Sequence, residues 1–248
     1  AAIYGARGAN GVILVTTRQG SRDRLSLDYS FSYGWQSPCR TKDVLDATEY
    51  AVMMNEMNMN SGMSPVYDDP KSFGRGTDWQ KEVFNYNAPV IEHQASISGG
   101  NDKLSYYLSF GYLYNEGIIG GNFNRSNYDR YSARANTTYT FFDHQERNWL
   151  RNFRGGVNMA YSRTTSMSIG ENSERGSILG SAVSMSPIMK VYADDPQVVL
   201  AAHPNAVTDS KGNVFAIAGD DFGNMVNPLA SLSLPGDKSK ADKLVGNV

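Results

Sequence analysis

The sequence predicts an all-β protein: a piece of an antiparallel β-barrel that crosses a membrane on strands, with long, partly helical extracellular loops. Three observations predict it. Apolar and polar residues alternate with period two along several segments, those segments are long, and long and short connections alternate between them. Composition agrees. The chain has 248 residues, 40% of them hydrophobic and 19% charged, with 24 Gly and 15 Tyr. Its mean hydropathy is -0.44, and no apolar run approaches the roughly 18 residues a spanning helix needs.

The first alternating segment starts at Leu25. Its odd positions are Leu25, Leu27, Tyr29, Phe31, Tyr33 and Trp35, against Ser26, Asp28, Ser30, Ser32, Gly34 and Gln36. Val90 to Gly99 alternates less strongly, with Ile91, Ala95 and Ile97 opposite Glu92, Gln94 and Ser96. From Leu104 the apolar set is Leu104, Tyr106, Leu108, Phe110, Tyr112 and Tyr114. From Tyr131 it is Tyr131, Ala133, Ala135, Thr137, Tyr139 and Phe141, and from Phe153 it includes Val157, Met159 and Tyr161. A sixth strand is expected to begin at Lys243 and to stop at Val248.

A water-soluble sandwich also alternates, with its apolar face turned inward. Length separates the two, because sandwich strands run nearer 5 or 6 residues whereas about 9 to 11 tilted residues span a bilayer. Aromatic pairs sit near strand ends (Tyr33 with Trp35, Tyr112 with Tyr114, Tyr139 with Phe141), as membrane girdles do. Arg130, Arg134 and Asn136 fall mid-strand on the polar face, which suits a watery lumen and is costly towards lipid.

The connections add a parity test. Outer-membrane barrels have short turns on one side and longer loops on the other. Expected outer loops are 37–89, 115–127 and 164–242, separated by the tight Gly99-Gly100-Asn101-Asp102 turn and the short polar Asp143–Asn148. A sandwich has no such rule. Loops this long need structure of their own. Asp46 leads into the Met-rich stretch 51–57, Asp78 caps a short amphipathic turn, and 178–189 is helical until Pro187. The Met stripe is expected to pack inside its loop, with a partner-binding surface as the alternative.

Residues 1–20 read AAIYGARGANGVILVTTRQG. Three glycines, Gly5, Gly8 and Gly11, precede the apolar run 12–15, which describes a tight turn entering a buried strand. A phosphate cradle is disfavoured, since the glycines do not link a strand to a helix N-terminus and no Lys-Ser/Thr follows. The chain starts Ala1-Ala2-Ile3-Tyr4 without an initiator Met or leader pattern, and both ends are expected to be cuts in a longer protein.

The string Ile3-Tyr4-Gly5-Ala6-Arg7-Gly8-Ala9-Asn10-Gly11-Val12-Ile13 resembles the closing segment of the plug in TonB-dependent outer-membrane transporters, and its Arg-Gly-Ala-Asn-Gly form resembles the SusC/RagA-type branch. The resemblance continues through Leu45-Asp46-Ala47-Thr48-Glu49-Tyr50, Gly76-Thr77-Asp78-Trp79-Gln80, Ser98-Gly99-Gly100-Asn101, Asn115-Glu116-Gly117 and Asn227-Pro228-Leu229-Ala230. It implies a 22-stranded barrel of the plugged-transporter size class, with 1–20 as the C-terminal end of the plug and 21–248 as the first strands. It also implies a Gram-negative outer-membrane location, import of a glycan or a peptide, a SusD-like surface lipoprotein as lid, and energy from the TonB–ExbB–ExbD complex through a segment upstream of Ala1.

Candidate plug residues are Tyr4, Gly5, Arg7, Gly8, Asn10 and Gly11, with Asp28, Glu92 and Asp129 as possible acidic partners of Arg7. Tyr50, Tyr67, Trp79, Tyr86 and Tyr192 in the outer loops are candidates to stack on ligand, and loop-core packing is the competing role for each. No catalytic residue, cofactor or metal is expected. His93, His144 and His203 are scattered, and the pairs Asp68-Asp69, Asp194-Asp195 and Asp220-Asp221 lack calcium-loop spacing. The single Cys39 excludes an internal disulfide, and the net charge of -2 gives no reason for a nucleic-acid partner. Two alternatives to import stand: a barrel for adhesion or signalling, and a soluble carbohydrate-binding β-sandwich. The segment alone is expected not to fold stably in buffer, since open edges and an aromatic face would lack partners.

Overall fold

A computed structural model describes residues 18, 24–120, 123, 125–144, 149–169, 177–219 and 225–247. Six strands form one antiparallel meander in the order β1 to β6: β1 Ser26–Gln36, β2 Ala88–Gly100, β3 Leu104–Glu116, β4 Asn127–Asp143, β5 Asn152–Ser168 and β6 Asp237–Asn247. Each strand pairs with its chain neighbour, so every register position is set by a local hairpin or a capped loop.

The ladder carries the alternation across all six strands. Leu27 pairs with Ile97, Ile97 with Leu108, Leu108 with Ala135, Ala135 with Met159 and Met159 with Gly246. This row and its neighbours make one continuous apolar, aromatic face. It is bare: Leu27 is 77% and Trp35 68% exposed, and among the described residues no second layer lies over it. Rings run along it in contact, including Phe31 on His93 and Tyr112 on Tyr131, each at 4.8 Å between centroids. His93 is held there by the Tyr29 hydroxyl, 2.8 Å from Nδ1.

At one end the turns are tight. Asn101 Oδ1 accepts from the amides of Lys103 and Leu104 and closes the β2–β3 turn. A bulge between Thr140 and Phe142 lets Phe141 pack on Tyr139 and Phe153 beside the β4–β5 connection. On the outward face of β5 and β6, Asp242 takes the Arg163 guanidinium at 2.8 Å and the Tyr161 hydroxyl at 2.5 Å. The sixth strand begins at Asp237, not at Lys243. Its first half, Asp237–Asp242, has charges on both faces, so no alternation announces it.

The long connections hold five helices: α1 Ala47–Asn60, α2 Trp79–Val83, α3 Ile178–Ser184, α4 Pro196–Ala202 and α5 Pro228–Ser233. Each start is capped by the residue before it. Asp46 and Glu49 form a reciprocal capping box, and Asp78, Ser177, Asp195 and Asn227 accept from first-turn amides. The Met stripe does not pack as expected. α1 buries Ala47, Ala51, Asn55 and Asn58 against its own loop return, where Asn55 bonds the backbone of Val66 and Tyr67. Met53, Met57 and Met59 consequently face outward.

Candidate functional site

Two features stand out: a cap built by the long connections at one end of the sheet, and a polar sheet face beneath it. The cap has its own apolar core, made by Trp79, Val83, Ile178, Ala182, Met185, Phe215, Leu229, Ala230 and Leu232. Those residues come from the β1–β2 and β5–β6 connections, whose strands sit at opposite ends of the sheet order. The join is specific. Trp79 Nε1–H donates to the Ser186 carbonyl at 2.9 Å and the Thr77 amide to the Pro187 carbonyl at 2.8 Å. Gly76, at φ +66°, leaves no room for a Cβ between Pro187 O and Ala47.

The β3–β4 connection joins the same unit. Arg125 donates to the carbonyls of Leu232 and Ser233 at 3.1 and 3.0 Å, capping the end of α5. Asn85 and Gly120 tie it to the chain after α2 through Ile118 O and Val83 O. Three connections separate in sequence are thereby bonded into one unit.

Of the aromatic candidates, Tyr50 and Trp79 meet in a hollow of about 390 Å³ walled by Val44, Leu45, Val183 and Pro187. Trp79 is only 3% exposed and its indole N–H is already used, so its ring is part of the loop core and is not offered to a ligand. Tyr192 packs on Phe215 at 5.0 Å and Tyr67 edge-on against Phe73 at 5.3 Å. Tyr86 is exposed where its connection enters β2, and its carbonyl accepts from the Ser37 hydroxyl.

Tyr192 also reaches a turn that sequence reading passed over. Asp209 accepts from the Lys211 and Asn213 amides and from the Asn213 side-chain amide, all within 2.9 Å. These donors, Asn213 first, hold its carboxyl down at about 2. Burial and then the Asp209 contact raise the Tyr192 phenol. A depressed carboxylate stabilises the fold fully above its unfolded value near 4, and that contribution is lost as pH falls through about 2. We expect the 208–214 turn to stay ordered at pH 4 and to open towards pH 2 with loss of the Tyr192 contact. Asp209→Ala should open it at every pH, with tyrosine fluorescence as the measurement; an opening at neutral pH in the unsubstituted protein would refute this.

On the polar face lie Arg130, Arg134 and Asn136 of β4, beside Gln94 and Glu92 of β2, Asn158 of β5 and Lys243 of β6. Asp28 shares that face. Asp129 does not: it is on the aromatic side, bonded by the Tyr112 hydroxyl at 3.2 Å, so it is no partner for a group inside. Asn136 Nδ2 donates to the backbone carbonyl of Arg18 at 3.3 Å, which puts the chain just before β1 across the polar face at β4. Tyr4, Gly5, Arg7, Gly8, Asn10 and Gly11 lie outside the described residues. Among the described residues no group of three or more His, Cys, Asp and Glu is placed to hold a metal ion.

A bare aromatic face, a polar opposite face and strands of up to 17 residues define part of a large antiparallel membrane β-barrel. The comparisons agree. No family model matches the sequence. The chain is 30% identical over its full length to the TonB-dependent receptor SusC of Bacteroides thetaiotaomicron, and 28% identical over 88% of its length to the TonB-dependent receptor P3 of Formosa agariphila. Its fold is similar to the RagAB peptide importer in a closed-closed state, with a TM-score of 0.60 over 92% of the chain at 21% identity. A second RagAB structure gives 0.52 over 69% at 24% identity. Over its whole length the chain is thus similar to one part of the SusC-type TonB-dependent receptors. It spans 23% and 20% of the length of the two curated relatives. Both curated relatives are named as TonB-dependent receptors.

Proposed function

We propose that this chain is part of a transporter that imports a bulky polar nutrient, an oligosaccharide or a peptide, across the outer membrane of a Gram-negative cell. Residues 1–20 are the end of its plug and 21–248 its first barrel strands. The carrying observation is the two-faced sheet. Its aromatic side suits lipid, while its polar side, rich in Ser, Asn, Gln and Arg, suits a hydrated passage. The Arg18–Asn136 bond supports the plug assignment, because it brings the chain before β1 over the polar face. A plug held by such hydrated contacts can be displaced by a modest pull, and TonB–ExbB–ExbD supplies that pull. The outward Met residues of α1, above the sheet, suit a SusD-like lipoprotein seated on the cap.

The test is uptake by cells carrying the full-length receptor and its neighbouring lipoprotein. A fluorescent oligosaccharide or peptide should accumulate only with receptor, lipoprotein and TonB all present, and accumulation should cease on adding a protonophore. Uptake that continues without TonB would leave a passive pore; none with any cargo would leave an adhesion or signalling barrel.

A further inference from the structure

The polar face contains a cavity of about 460 Å³ between β3 and β6. Its floor is made by small residues, Ser109, Ser132, Ala160 and Ser162, and its cationic groups are Arg18, Arg134 and Lys243. The register explains the hollow. Arg134 pairs with Ala160 and Ser132 with Ser162, which pairs in turn with Lys243. Two long cationic side chains therefore rise roughly 12 Å apart, two strands over, with only short side chains between them. Among the described residues no Asp or Glu lines the cavity.

Nor, among those residues, does one reach it. Among the described residues the ion pairs are Arg154–Asp143, Arg163–Asp242 and Lys190–Asp194, none of which involves these cations. Arg134 donates from Nη2 to Asn158 Oδ1 at a long 3.4 Å, and its Nε–H is buried without an acceptor. A buried guanidinium N–H left unpaired is costly, and three like charges around one hollow repel. The repulsion is relieved when an oxyanion enters, since a carboxylate accepts from a guanidinium and from an ammonium beside it. The acids of this face, Asp28 on β1, Glu92 on β2, Asp143 in its pair with Arg154, and Asp237 at the start of β6, all stand outside the cavity lining.

We propose that Arg134, Lys243 and Arg18 form an anion site in the passage wall that takes a carboxylate carried by the imported solute. It rests on the import reading only in naming a solute as the source of the carboxylate. Size allows one acidic sugar or amino-acid residue.

Purified full-length receptor, without energisation, is titrated with two matched pairs of labelled probes: trigalacturonate against maltotriose, and triglutamate against triserine. In at least one pair the acidic member should bind about tenfold or more tightly, and that pair names the kind of cargo. The preference should shrink with added salt. Arg134→Gln with Lys243→Gln should abolish it, and so should Ser162→Asp, which puts a carboxylate in the floor. Equal affinities in both pairs overturn the proposal, as does a preference that survives these variants. A fall in melting temperature of the double variant with probe affinities unchanged also overturns it, because a carboxylate of the receptor itself would then fill the site. Binding is read without TonB, so failure here leaves energised uptake standing, and failure of uptake leaves the site standing.

Discussion

Ala135→Arg should cost the full-length receptor about 2–4 kcal/mol of folding free energy in lipid vesicles, whereas Asn136→Arg, one residue away, should change it by less than about 0.5 kcal/mol. Ala135 sits in the middle of the bare face, between the Tyr131 and Tyr139 rings of its own strand and beside Leu108 and Met159 of its neighbours. An arginine there must enter hydrocarbon or drag water with it. At Asn136 the new guanidinium points to the polar face, where Arg130 and Arg134 already stand. Depth provides the control. Thr165 pairs with Asp129 on the outward face and stands two residues from Arg163, which already carries a charge there paired with Asp242, so Thr165→Arg should cost only about 0–1 kcal/mol. Urea titration in vesicles, followed by heat-modifiable gel mobility, measures all three. A flat profile across Ala135 and Thr165 would mean that protein, not lipid, covers this face.

How much of this was legible depends on which residues carried the signal. β1 was, because every second residue from Leu27 to Trp35 is apolar and its partners are polar or Gly, and the ladder places it at Ser26–Gln36. The far half of β6 was not, since Asp237–Asp242 carries charges on both faces and obeys no alternation. Helix α5 was signalled by Asn227-Pro228, a cap followed by Pro at the first helical position, yet six residues are too few to show an apolar period. The cap core could not be read at all: Trp79 and Ser186 are 107 positions apart. The same holds for the cationic cavity. Arg134 was recognisable as an inward residue, but its meeting with Lys243 depends on registers across three strands. The outward Met residues of α1 misled because a helix with small buried residues on one side turns its large ones away from its own loop.

Trp79→Ala should remove about 3–5 kcal/mol of local stability from the cap and almost none from the sheet. Trp79 is the one large aromatic of α2 inside the shared core, packed with residues of both long connections, and its indole bond to Ser186 joins them beside the Thr77–Pro187 bond. Its loss leaves a void that the short helices α2, α3 and α5, of five to seven residues, cannot close without parting. The strands pair independently of the cap, each with its own ladder. Hydrogen exchange in the full-length receptor separates the two. Amides of Thr77 and Met185 should lose protection, while Tyr107 in β3 should keep it. Trp79→Phe retains the ring and forfeits only the bond to the Ser186 carbonyl, for a cost of about 1 kcal/mol. Unchanged protection in Trp79→Ala, with cargo affinity lost, would restore the indole to the ligand. Because α2 leads through Phe84 to β2 and α5 leads through Leu234 to β6, a cap that parts at Trp79 frees two distant strands of the barrel mouth from each other. Any lid seated on α1 would then rest on a rim that is no longer bonded into one unit.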